Sequence, residues 1–269
     1  MPSLEAYRPS LEYSYAPGYF PATECVLRAP DLCRRMLFSA RAEGTEAAEN
    51  LKALCRERNI RTETADRALS RVSGKENCFA AAVFTKREAA PAAGQPQVLL
   101  VNSSDCGNLG TILRTALGFG VEDVALIRPC ADVFDPRTVR ASMGALFQLR
   151  IKTYPDYEAW LAENPGRPLY PFMLQASMPM EQALAAPLPP NWTLVFGNEG
   201  SGLPEAYARR GQPVRIPSND RVDSLNLSVA AAIGIYAFVS RSANLNCSRV
   251  DPKTLQPLSF TPSPGLLPL

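Results

Sequence analysis

The longest apolar pattern in the chain is "VDSLNLSVAAAIGIYAFVSR" (Val222–Arg241). From Leu225 onward nearly every position is apolar, which predicts a buried helix rather than a surface one. The run is too short for a membrane span. Asp223 or Ser224 stands where a helix cap belongs. Asn226 falls inside the predicted first turn, where a buried amide needs a partner. Three other segments carry helical spacing. "EAAENLKALCRERN" (Glu46–Asn59) repeats Ala48, Leu51 and Cys55. "GNLGTILRTALGFG" (Gly107–Gly120) sets Leu109, Ile112, Leu113, Ala116 and Leu117 on one stripe and stops at glycines. "DPRTVRASMGALF" (Asp135–Phe147) opens with a capping Asp135 and Pro136 at the first helical position. Short apolar runs bounded by turn residues predict strands at "LCRRMLFSA", "CFAAAVF", "VLLVN", "VEDVALIR", "YPFMLQA", "TLVFG" and "VRIPS". "IRTETADRALSRVS" (Ile60–Ser73) reads as a short strand followed by a helical turn. From Val98 on, strand alternates with helix. That predicts an α/β unit with a mostly parallel sheet and helices on both faces.

The same pattern divides the chain. The first stretch, to about residue 20, bears Tyr and Pro and reads as an arm. A small α/β unit follows, so that 1–90 forms an N-terminal region. "REAAPAAGQPQ" (Arg87–Gln97) has linker composition, and the linker proper is set at 91–97. The main unit occupies 98–243. The Pro- and Leu-rich tail, 244–269, reads as disordered or draped on the surface.

Composition narrows the chemistry more than the fold. The chain has 269 residues and a net charge of +2, with the small basic excess before Pro96. It contains no histidine. That removes the commonest general base, His-containing metal sites and triads built on His. Seven cysteines are scattered without a CxxC pair and read as free thiols in a reducing cytoplasm. The start has neither a basic region nor an apolar core of a secretory signal. A cytoplasmic protein, with no membrane partner and no metal, is expected.

Three loops carry the remaining signals. "DCGNLGTILRTA" (Asp105–Ala116) puts glycines around Asn108 where strand gives way to helix, with Arg114 on the face away from the apolar stripe. Its free N–H groups suit an anion. "LVFGNEGSGLP" (Leu194–Pro204) is a glycine-dense loop with Glu199 as its one charge, suited to direct backbone contact with a ligand. "RIPSNDRVDSLNLSVAAA" (Arg215–Ala232) ends a strand and begins the apolar helix. Neither a P-loop nor a dinucleotide fingerprint is present.

In order and spacing these three loops closely resemble the motifs of the SpoU/TrmH family. Its members are S-adenosylmethionine-dependent RNA ribose 2′-O-methyltransferases of the SPOUT superfamily. "VRASMGALF" (Val139–Phe147) also looks like the family, and 22–87, notably "SGKENCFAAAV", is similar to its L30e-like RNA substrate-binding domain. The resemblance implies a C-terminal trefoil knot and a homodimer joined through the knot region. It implies that S-adenosyl-L-methionine lies against Phe196, Gly197, Asn198, Glu199, Gly200, Ile216, Pro217, Leu225 and Asn226, with Gln175, Ala176 and Ser177 along one edge. It implies that Arg114 activates or orients the 2′-hydroxyl while Asn108, Glu199, Ser224 and Asn226 hold Arg114 and the ribose. The RNA would be ribosomal rather than transfer RNA. Departures from the family pattern are Cys106 in place of a proline, "LLVNSSD" without the usual acidic residue, and the "PSNDRVD" loop. The rival readings are a non-catalytic RNA- or cofactor-binding member and an RNA base methyltransferase.

Overall fold

The computed structural model describes residues 4–73, 78–219 and 221–242. The predicted disordered tail and part of "SGKENCFAAAV" lie outside the described residues. The elements run β1 (Tyr13–Pro17), α1 (Tyr19–Arg28), β2 (Cys33–Phe38), α2 (Glu46–Glu57), β3 (Thr62–Thr64), α3 (Asp66–Ser73) and β4 (Ala80–Thr85). The second set is β5 (Gln97–Val101), α4 (Cys106–Gly118), β6 (Asp123–Ile127), α5 (Pro136–Ala141), β7 (Arg150–Tyr154), α6 (Tyr157–Glu163), β8 (Leu169–Pro171), α7 (Met180–Ala183), β9 (Thr193–Phe196) and α8 (Leu227–Arg241).

Two sheets result. The first has the order β1-β4-β2-β3 and is mixed. The second has the order β7-β6-β5-β9-β8, and every neighbouring pair is parallel. Strands β5 and β6 are buried at every position, which is why they read as unbroken apolar runs. One face of this sheet packs beneath α4 and α8, where Val98, Leu100, Leu113, Phe196, Ile235 and Phe238 share a core. The other face packs beneath α6 around Leu99, Val195 and Trp160.

Residues 4–20 are not a free arm. Tyr13–Pro17 pairs along β4, and Tyr19 already begins α1. Tyr15, fully buried, anchors the strand, and the preceding segment packs Leu4 and Tyr7 on the same cluster. The linker is also tied down: the Ala89 amide donates to Ile151 O at 2.9 Å and the Ala92 amide to Asp123 Oδ2 at 3.1 Å. "VRIPS" makes only isolated bridges, Val214 to Phe172 and Arg215 to Pro179. Prolines at 213 and 217 lack N–H groups, so a ladder cannot propagate across it. "YPFMLQA" is strand only as far as Pro171, and the predicted helix from Asp135 ends at Ala141. Positive φ at Met143 and Gly144 turns the chain there. Elements α1, β7, α6 and α7 had no sequence counterpart.

Candidate functional site

The C-terminal ends of β5, β6 and β9 gather the loops. After β5, Asn102 takes a left-handed backbone (φ 56°), which asparagine tolerates. Its carbonyl accepts from Asn198 Nδ2 at 2.9 Å, tying the first loop to the second. Asp105 caps α4 by accepting from the Asn108 amide at 2.7 Å. Gly110 is required where α4 meets α5: a Cβ there would lie 2.5 Å from Ala141 Cβ and 2.7 Å from Thr138 O. After β9, the loop closes on itself through reciprocal amide–carbonyl bonds between Asn198 and Gly202, each 3.0 Å. A Cβ on Gly197 would sit 2.3 Å from Gly202 O, so only glycine permits this closure. Asn198 Oδ1 accepts from the Gly200 and Ser201 amides and fixes the loop tip.

The third loop corrects two sequence expectations. Asn226 is itself the N-cap of α8, accepting from the Ser228 and Val229 amides at 2.9 and 3.4 Å. Asp223, Ser224 and Asn226 are all capping residue types, and the first buried position, Leu227, selects the last of them. Asn226 is exposed, not a buried amide. Nor is α8 buried all round: Val229 is 47% and Tyr236 56% exposed, leaving one apolar face open.

The amides of the three loops are linked. Asn226 Nδ2 donates to Asn108 Oδ1 at 3.1 Å, and Asn108 Nδ2 donates to Glu199 Oε1 at 3.5 Å. Glu199 also accepts from the Ser104 and Asp105 amides and from the Ser103 and Ser104 hydroxyls, at 3.1 to 3.2 Å. Glu199 thus takes the Ser104 and Asp105 amides just ahead of α4, and Asp105 takes the Asn108 amide within its first turn. Partial burial would raise the Glu199 pKa, but backbone hydrogen bonds, including those from Ser104 and Asp105, and the Ser104 hydroxyl outweigh it. The carboxyl is held below its ordinary value and stays ionised at neutral pH.

Beside this chain of amides lies a pocket of about 210 Å3. Of the residues assigned to a cofactor, Gln175, Phe196, Gly197, Asn198, Glu199, Gly200, Ile216 and Leu225 line it; Ala176, Ser177, Pro217 and Asn226 do not. Ser224, assigned to catalysis, is on the wall. The walls also include residues of the quoted loops that had no assigned role, such as Ser201, Leu203 and Arg215, and three from outside the motifs, Phe172, Met173 and Leu174. Phe172 stacks on Phe196 with centroids 4.6 Å apart, so the apolar end of "YPFMLQA" was the available signal for that wall. Asn108, Glu199 and Asn226 are brought together. Arg114 is not joined to them: it lies on the exposed face of α4 with Gly107 and Thr111 and, among the described residues, makes no hydrogen bond or ion pair. That leaves its guanidinium available to an anionic or hydroxylic ligand.

A model of the SpoU rRNA Methylase family matches residues 95–236. A protein named ribosomal RNA small subunit methyltransferase G 2, from Syntrophobacter fumaroxidans, is 35% identical over 146 residues, 54% of this chain and 27% of its own. A 23S rRNA (guanosine(2553)-2′-O)-methyltransferase of Bacillus subtilis is 33% identical over 144 residues, 52% of this chain and 56% of its own. The match thus spans less than two thirds of either curated relative. Among solved structures, an AdoMet-bound rRNA methyltransferase from Sinorhizobium meliloti matches with a TM-score of 0.69 at 25% identity, covering 84% of this chain and 86% of that one.

Proposed function

The chain belongs to the SpoU rRNA methylase family, and on that premise we propose that it transfers a methyl group from S-adenosylmethionine to a ribose 2′-hydroxyl of structured RNA, ribosomal rather than transfer RNA. The observation that carries this reading is the Asn226–Asn108–Glu199 chain at the rim of the pocket, which ties all three motif loops into one rigid constellation. The pocket suits the cofactor's chemistry. Phe172, Phe196, Ile216 and Leu227 offer apolar surface for a flat heterocycle, and the glycine loop from Gly197 to Gly202 exposes main-chain groups for hydroxyls. When bound, the cofactor supplies an activated methyl on a sulfonium.

The protein's part is positioning and exclusion of water. Asn108 is fixed from both sides, by Asn226 and by Glu199, so its amide holds one orientation at the start of α4. Glu199 serves as a structural anion saturated by donors and is not the proton acceptor. Arg114 projects from the same helix about one and two-thirds turns later. A guanidinium holds its proton, so Arg114 orients the ribose hydroxyl and an adjacent phosphate by donating to them. Ser224 stands on the pocket wall beside Leu225.

Two further assignments rest on the same reading. The unit built on β1–β4 docks RNA. The open face of α8, with exposed Val229 and Tyr236, forms the contact between two copies. Among the described residues no helix is long and apolar enough to cross a membrane.

The test is transfer of labelled methyl to ribosomal RNA, with nucleoside mass spectrometry of the digest. A 2′-O-methylnucleoside is the expected product. A base-methylated product overturns the ribose assignment, and cofactor binding without transfer to any RNA overturns the enzymatic one. Arg114→Ala should lower transfer about 10^3-fold while cofactor affinity stays within a few-fold; near-normal turnover removes Arg114 from the chemistry.

A further inference from the structure

Strand β2 is irregular where it starts. Its register against β4 shifts between Cys33 and Arg35, so Arg34 occupies a β-bulge. A bulge re-aims the side chain it carries. The Arg34 guanidinium lies over the Tyr13 ring, 5.3 Å from its centroid, and Arg34 Nε donates to Thr85 Oγ1 at 2.8 Å. These contacts come from β4, the strand against which the bulge pairs, and from β1 on the far side of β4. Arg34 is exposed, and among the described residues it forms no ion pair. Its neighbours Arg35, Arg61 and Arg87 are each matched by a carboxylate: Glu63 for the first two, Asp31 for the third. Arg34 is thus an arginine whose rotamer is fixed while its charge and its terminal N–H groups remain unspent.

Its place in the fold matters as much. Strands β1 and β2 both run antiparallel to β4, so Tyr13, Arg34 and Thr85 stand at one end of the first sheet. That end abuts the main unit. Lys86, next to Thr85, lies over the rings of Tyr7 and Phe134, at 5.0 and 5.8 Å, and donates to Pro9 O at 2.8 Å. Tyr7 donates to Asp132. The loop holding Asp132 is joined to the start of α4, because the Ala131 amide donates to Ser103 O at 2.7 Å and the Ser103 hydroxyl to Glu199. A contiguous path therefore leads from Arg34 to the rim of the pocket.

We propose that the Arg34–Tyr13–Thr85 cluster grips the phosphate backbone of an RNA strand whose target ribose lies at Arg114, making this end of the first sheet the RNA-docking surface. A planar guanidinium with free N–H edges fits a phosphate bidentately. Holding it in advance on Tyr13 and Thr85 reduces the entropy lost on binding. The outer plane of the exposed Arg34 guanidinium can stack an unpaired base, so the surface suits a single-stranded or looped segment rather than a regular duplex. The inference rests on the RNA methyltransferase reading and assigns its docking surface.

The experiment is fluorescence anisotropy with a labelled 20-nucleotide single-stranded oligoribonucleotide and the full chain at several salt concentrations. Arg34→Gln should weaken binding about tenfold and reduce the slope of log affinity against log salt by about 0.7, one phosphate contact on a single strand. Thr85→Val, which keeps the charge but releases its position, should weaken binding about threefold. Arg56→Gln, on an exposed α2 arginine, is the control and should leave binding within twofold. Binding by Arg34→Gln that equals the unsubstituted protein overturns the docking surface alone. So does an equal loss in Arg56→Gln, which would mean diffuse charge attraction. Cofactor binding by an unsubstituted protein that ignores RNA overturns the RNA reading itself, and the inference with it.

Discussion

The parallel sheet carries a polar network at each end, and the two are built to opposite plans. At the C-terminal ends of the strands, Asn226, Asn108 and Glu199 form a chain that is exposed or half-buried and stands beside a pocket. At the N-terminal ends, one cross-strand row reads Arg150, Asp123, Gln97, Thr193 and Leu169, one residue from each strand. Asp123, Gln97 and Thr193 are fully buried. Asp123 accepts from Arg150 and from the linker amide of Ala92; Trp160 Nε1 donates to Gln97 Oε1 at 3.1 Å; Arg167 Nε donates to Thr193 Oγ1 at 2.9 Å. Arg167 also reaches the Gln95 carbonyl, so the linker is closed over this end from two points. A polar network that is sealed locks strand register and the linker; one that is left open, with donors to spare, holds loops where a ligand can meet them.

The sharpest way to break the closed end is to remove its buried charge. Asp123→Ala deletes the acceptor for both Arg150 and the Ala92 amide. Arg150 is about one-third exposed and keeps Glu122 at 2.9 Å, which limits the damage below that of a fully buried pair. The expected cost is about 3 kcal/mol, read as a lower urea midpoint with unchanged slope. Cofactor affinity measured well below that midpoint should be unchanged, because the pocket lies at the other end of the strands. A change in affinity of the folded protein would show that the two ends are coupled and would end the comparison as drawn.

Breaking the open end should do the reverse. Asn226→Ala removes the α8 cap and the donor to Asn108, at a cost of about 1 kcal/mol in stability. Its larger effect is on the loops: freed from Asn226, the Asn108 amide loses its fixed orientation. Methyl transfer should fall by about a hundredfold, while Asn226→Asp, which keeps the cap acceptor but not the donor, should recover the stability and not the rate. If the Asp variant recovers both, Asn226 acts only as a cap.

The same two ends differ in how far the sequence disclosed them. Leu99, Leu113 and Val124 announce their strands and helix by period alone, because burial on a parallel sheet leaves no other composition possible. Asn108, Glu199 and Asn226 were legible because loops at strand ends carry motif chemistry in a fixed order. What the sequence could not disclose is who bonds to whom. Asn226 read as an amide inside a buried turn, yet it is the cap itself, a choice set by where Leu227 enters the core. Phe172 joined the pocket through its stack on Phe196, a contact between distant segments. The Asp123–Gln97–Thr193 row was invisible, since each residue looks like an ordinary strand terminus until register aligns them. Tyr13–Pro17 was missed as a strand because Ser14, Pro17 and Gly18 give the short stretch turn composition that masks the strand-favouring Tyr13 and Tyr15, and the pairing with β4 is a long-range contact.

Gln97 offers the finest test of the closed end. Its Oε1 accepts from Trp160, but its Nε2 is buried with no protein partner. Gln97→Met keeps the shape and removes both halves of the amide. The unpaired donor disappears, which stabilises; Trp160 Nε1 loses its acceptor, which costs a similar amount, since an unmet buried polar group is worth about 1–3 kcal/mol either way. The two changes should cancel to within about 1 kcal/mol, the smallest effect of the series. A loss above about 2 kcal/mol would mean that Nε2 is satisfied by an enclosed water bridging the row, and that the end is sealed by hydration as well as by side chains. A gain of that size would mean that Gln97 is retained against stability, for the register it imposes by engaging Trp160 from the middle strand of five.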